Sequence, residues 1–234
     1  MSTTTYSSNN VLNAVAAAAK VLDERKEEVN RLNVFPVPDG DTGTNMSLTI
    51  QSVVSNVANL PIGAPGADIR KAITTGALMG ARGNSGVITS QILRGLCEGS
   101  QSFDEFDVES IAASFDRARE VAFQAVRKPV EGTILTVLRD SAAAAKVAVE
   151  QELSIPDALD AIVAEAYASV QRTPDLLPVL KEHGVVDAGG FGLAIIFDAF
   201  TAALLGRSGT MVDEMSFARG AHPKVEIEQV NDWE

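Results

Sequence analysis

Apolar residues return every three or four positions along most of this chain, and that spacing constrains the fold more than any other feature. Near the start, Val11, Leu12, Val15, Ala18, Ala19 and Leu22 share one helical face, and Val29, two turns after Leu22, continues it. With Ser8 and Asn9 as candidate caps, this predicts a helix running to about Asn30 and stopping before Pro36. The same period predicts helices at 43–58, 67–80, 85–98, 107–127, 133–151, 156–171, 174–182 and 189–205. Alternating Val/Ile/Thr runs joined by tight Gly turns, the signature of hairpins, are absent. The expected fold is all-α, a single domain of about eight amphipathic helices in a barrel or bundle. It covers 1–206, with 207–234 as an irregular tail where the periodicity fades.

Composition agrees with this and removes several function classes. The chain has 234 residues, 46% hydrophobic and only 5% aromatic, which favours closely packed helices over a β-sandwich. A net charge of -12 argues against nucleic acid or anionic membrane as a partner through general electrostatics. The single cysteine, Cys97, excludes an internal disulfide and sits in an apolar run, so a buried core thiol is expected, as suits a reducing cytoplasm. The start "MSTTTYSSNN" has no basic region followed by an apolar core, and no signal peptide is expected. The most apolar run, "AGGFGLAIIFDAFTAALLG", is interrupted by Asp198 and reads as a buried helix instead of a transmembrane segment.

Four Gly-rich loops carry the unusual residues. In "NVFPVPDGDTGTNM", Asp39 and Asp41 flank Gly40, so a turn there points two carboxylates the same way, which is costly unless a cation lies between them. Oxygen ligands of this kind suit Mg²⁺, and Asn33 offers an amide oxygen upstream. The competing reading, with equal weight, is that Asp41 or Thr42 caps a helix starting near Gly43. In "GARGNSGVITSQILRG", Asn84 and Ser85 sit among glycines that let backbone N–H groups approach an anion, although on loop composition a plain helix connection is the stronger reading. In "KPVEGTILTVLRD", Thr133 and Ile134 open another helix, where a capping threonine and a core aliphatic are the simplest reading. In "VVDAGGFGL", Asp187 stands before Ala188 and Gly189 at a helix entrance, and by itself reads as a cap. His183 and His222 form no catalytic or zinc spacing.

In order and wording, these four loops together resemble the DhaL-like, or Dak2, nucleotide-binding domain family, and within it the N-terminal domain of fatty acid kinase ATP-binding subunits. The resemblance implies an eight-helix barrel that binds ATP or ADP at one end through two Mg²⁺ ions held by acidic residues. Asp39 and Asp41 match two of the metal-binding positions. Where related dihydroxyacetone kinase subunits carry a third Asp, this chain has Val34, with Asn33 beside it as the polar candidate. By the same match Thr42, Gly43, Thr44, Asn45, Asn84 and Ser85 fall at phosphate contacts. Thr133, Ile134, Arg172, Asp187, Ala188 and Gly189 fall at nucleotide contacts. The implied partners are a fatty-acid-binding carrier protein and the remaining domains of a full-length kinase subunit, with a homodimer among the assemblies allowed. Alternatives are a dihydroxyacetone kinase ADP-binding subunit and a non-catalytic nucleotide sensor.

Overall fold

A computed structural model describes residues 6–61, 63–100 and 107–211. Among them every regular element is a helix: α1 (Ser8–Arg31), α2 (Thr42–Val57), α3 (Gly66–Gly80), α4 (Gly83–Gly99), α5 (Val108–Ala125), α6 (Ile134–Glu150), α7 (Ile155–Leu176), α8 (Pro178–His183) and α9 (Ala188–Leu204). The fold class predicted from periodicity holds. Consecutive helices from α1 to α7 pack side by side, and α9 closes the ring by packing against both α7 and α1, so eight helices form a barrel and α8 is a single short connector.

The barrel interior is aliphatic. Leu22, Met46, Ile50, Leu138, Ile162 and Ile195 are among the fully buried side chains, and an apolar cavity of about 160 Å³ lies between the helix halves remote from the four Gly-rich loops. Phe115 and Phe197 meet edge to face there, with ring centroids 5.0 Å apart. Helix α9 is buried nearly all round, as its composition predicts, and its one charge, Asp198, accepts a hydrogen bond from Tyr167 Oη at 2.9 Å. No helix among the described residues is long and apolar enough to cross a membrane. Cys97 is buried as expected, and burial pushes its thiol up to about 12, which makes it a packing residue and not a nucleophile.

Two boundaries differ from the sequence reading. The cap of α1 is Ser7, one residue earlier than Ser8, and Asn10 completes a reciprocal cap. Helix α7 does not end near 171: it continues through Pro174 to Leu176. Proline leaves the carbonyl four residues before it without a donor, and here the Thr173 hydroxyl donates to that carbonyl, Val170 O, at 2.6 Å. Residues 207–211 belong to the expected tail. Within it, Arg207 pairs with Asp160 and the Met211 N–H donates to Asp198 Oδ1 at 3.0 Å, while residues 212–234, with His222, lie outside the described residues.

Glycines set the closest helix contacts. A Cβ on Gly95 of α4 would lie 2.4 Å from Ala118 Cα on α5, a backbone contact that cannot yield. The Gly95→Ala variant is expected to lose about 1–3 kcal/mol of stability by overpacking, seen as a lower urea midpoint.

Candidate functional site

The four loops meet at one end of the barrel, and three contacts show how. A Cβ on Gly83, at the start of α4, would lie 2.3 Å from Asn45 Nδ2 near the start of α2. One on Gly192 in α9 would lie 2.8 Å from Met46 Sδ in α2, and one on Gly189 would lie 3.3 Å from Ile134 Cβ at the start of α6. The starts of α2, α4, α6 and α9 therefore converge, each with its positive dipole end and unpaired N–H groups toward the same region.

Three of these four helices lack a cap from their own N-cap residue. Asp41 before α2, Arg82 before α4 and Thr133 before α6 accept no such bond. At the opposite end Ser7, Asp107 and Ser154 cap α1, α5 and α7, while α3 starts after Pro65 without a side-chain cap. The capping reading of Asp41 is thus not what its side chain does. The Thr133 hydroxyl instead donates to Val130 O at 2.7 Å.

Gly40 adopts φ +67°, a left-handed conformation that suits glycine and turns the chain between the two aspartates. Asp39 is exposed and Asp41 half-buried, and neither has an ion-pair partner among the described residues. Asp39 Oδ1 accepts from Asn33 Nδ2 at 2.8 Å, and the same amide nitrogen donates to Val37 O at 2.9 Å. The Thr42 hydroxyl donates to Asn33 Oδ1. Asn30, in the last turn of α1, receives Thr44 N–H at 3.1 Å and donates to Thr44 Oγ1 at 3.0 Å. Sequence reasoning treated Asn30 only as a helix end, because a contact spanning 14 positions leaves no local signal.

The residue types suit a hydrated hard cation. Two unpaired carboxylates supply oxygen, and Mg²⁺ ordinarily takes one or two carboxylates, waters and substrate phosphate oxygens. Among the described residues no group of three His, Cys, Asp or Glu gathers as a metal site, in keeping with Val34 where the resemblance has a third acid.

The remaining candidates divide. Asn45, Asn84 and Ser85 lie with Thr42 in one place, where Gly86 approaches Asn45 O and Ser85 Oγ is 3.5 Å from Thr42 O. Asp187 is buried and its Oδ2 accepts the Gly190 N–H at 2.7 Å, so it caps α9 as its position alone predicts. Its own N–H donates to Thr173 Oγ1 at 3.0 Å. Burial pushes the Asp187 carboxyl up to about 7, against the opposing pull of the Gly190 and Ile134 N–H groups. The Arg172 guanidinium bonds Asp140 at 3.1 Å and Glu165 at 2.5 Å. His183 ends α8 with Nδ1 2.9 Å from Val179 O and takes no part in the site.

The DAK2 domain model matches residues 36–202, most of the chain and all four loops apart from residues 33–35 of the first. The chain belongs to the DAK2 domain family. Curated relatives include protein YloV of Bacillus subtilis (strain 168), 44% identical over 208 residues covering 89% of this chain and 37% of that protein. The uncharacterized protein SSP1546 of Staphylococcus saprophyticus is 46% identical over 197 residues, covering 83% of this chain and 35% of that protein. This DAK2 domain thus spans little more than a third of those relatives' length. Among solved structures, the dihydroxyacetone kinase from C. freundii in complex with AMP-PNP and Mg²⁺ shares the fold, with TM-score 0.61 and 19% identity over 86% of this chain and 35% of that one.

Asp187 generates a pH prediction. Its folded value near 7 lies above the ordinary 3.8, so the neutral acid is the form that the fold favours. That stabilisation is complete below about pH 4 and is lost as the pH rises through about 7. Relative to Asp187→Asn, the wild type is expected to lose up to about 4 kcal/mol between pH 4 and pH 8 and then level off, measured by urea unfolding at each pH.

Proposed function

We propose that this DAK2 domain binds ATP with Mg²⁺ and serves as the phosphoryl-donor domain of a fatty acid kinase. The acceptor in this reading is a fatty acid carboxylate presented by a separate fatty-acid-binding protein, and the product is an acyl phosphate. One observation carries the nucleotide reading: two carboxylates without cation partners among the described residues stand where the starts of α2, α4 and α6 converge, none of them capped by its own N-cap residue. The first asks for a cation and the second for an anion, and a metal-bound triphosphate is both. The C. freundii kinase of the same fold, described with AMP-PNP and Mg²⁺, supports the pairing.

Each group then has a task. Asp39 and Asp41 hold the cations, two in the family reading, and the N–H groups at Gly43, Asn84 and Ser85 bind phosphate oxygens. Bound Mg²⁺ would neutralise the repulsion between these carboxylates and the phosphates and the charge that develops on transfer. Thr133, Ile134, Ala188 and Gly189 lie where the start of α6 meets α9 and would contact the nucleoside. The acceptor oxygen attacks the γ-phosphorus as the bond to the β-phosphate oxygen breaks, leaving ADP. A carboxylate acceptor carries no proton to remove, so no protein general base is required.

The acceptor must come from outside the described residues, from the carrier and from the further regions that occupy most of the relatives' length. The full-length kinase subunit with ATP, Mg²⁺ and an oleate-loaded carrier is expected to form acyl phosphate, trapped by hydroxylamine as the hydroxamate. The 234-residue chain alone, given the same components, is expected to form none. Phosphorylation of dihydroxyacetone with a dihydroxyacetone-binding subunit would move the function to that branch of the family. Nucleotide exchange without turnover would make the domain a sensor.

A further inference from the structure

We infer that Asn33 is a positioning residue for Asp39 and does not itself ligate the cation, an inference that rests on the reading of Asp39 as a metal-binding carboxylate. Asn33 lies just beyond α1 and is only 7% exposed. Two acceptors fix the orientation of its carboxamide. Its Nδ2 lies 2.9 Å from Val37 O and 2.8 Å from Asp39 Oδ1, and an amide oxygen turned to that side would face lone pairs on both. The amide oxygen therefore faces Thr42, whose hydroxyl donates to it. Both N–H bonds are committed, and the oxygen is buried against a hydroxyl on α2.

This arrangement does something specific to Asp39. The aspartate is exposed, on a loop between two prolines and a glycine, and nothing else among the described residues restrains its carboxylate. Held through Oδ1, it keeps Oδ2 for a cation, and the orientation is set before the cation arrives. Groups that orient a metal ligand in this way typically contribute 10- to 100-fold in metal affinity. Asn33 thus takes the place of a third acid not by supplying an oxygen, but by fixing the direction of one that is already there.

Substitution by aspartate separates the two roles. Asp at this position is a better oxygen ligand than Asn, yet it has no N–H to give Asp39 or Val37. Mn²⁺ binding in the presence of AMP-PNP, followed by the free Mn²⁺ electron paramagnetic resonance signal, is the readout. For Asn33→Asp and Asn33→Ala the affinity is expected to fall roughly 10- to 100-fold, with thermal melting confirming that each variant is folded. Unchanged or tighter Mn²⁺ binding by Asn33→Asp would overturn the inference and make Asn33 a ligand. Should the variants not fold, the wild-type Asn33 side-chain amide protons decide by NMR. Slow exchange retained on adding Mg²⁺ and AMP-PNP supports positioning, and release to solvent refutes it. A wild type that binds no Mn²⁺ with nucleotide present would instead remove the metal site itself, and the positioning role with it.

Discussion

Asn30 and Asn33, in the last turn of α1 and just past it, grip the start of α2 from two sides, and the rest of the loop end is built against that start. Asn30 takes Thr44, and Asn33 takes Thr42 and Asp39. Gly43 lets the two helices close, since a Cβ there would meet Lys26 O at 2.2 Å. From α2 the geometry spreads outward: Asn45 receives the α4 loop, Met46 receives α9, and α9 receives α6 through Gly189 and Asp187. One turn thereby places four helix starts.

The cost of the arrangement is visible in the caps. A helix start without a capping side chain forgoes roughly 1 kcal/mol. In this barrel the N-cap side chains of α2, α4 and α6 make no such bond; Asn30 supplies one to the Thr44 N–H of α2 and Asp187 draws the Ile134 N–H of α6, while α4 has none and neither has α3 at the other end. Placing Asp39 and Asp41 at the loop end without cation partners adds repulsion. The apolar interior and the ring of side-by-side helices supply the stability that this end gives up.

The helices were legible because a buried face must repeat at helical spacing, and that signal survives in any helix long enough to pack. What escaped lay in single hydrogen bonds. Pro174 reads as a helix break, and only the Thr173 hydroxyl explains why α7 runs through it. The Asp39–Gly40–Asp41 turn was legible as a place where charge must be answered, whereas its supports were not. Asn30 acts across 14 positions, and the direction of the Asn33 amide depends on a loop carbonyl. Asp187 was legible as a cap and is one. The partners of Arg172 were not legible: its guanidinium bonds Asp140 and Glu165, 32 and 7 positions away.

What decides is whether the two carboxylates and the helix starts around them form one site for a metal-bound nucleotide. Calorimetric titration of ATP into the purified chain, with and without Mg²⁺, for wild type and the Asp39→Ala/Asp41→Ala double variant, tests this directly. The account predicts binding that requires Mg²⁺ in the wild type and is lost in the variant, while the helical circular dichroism spectrum persists. Equal binding by the two proteins, or binding indifferent to Mg²⁺, would contradict it and return the aspartates to the role of turn residues.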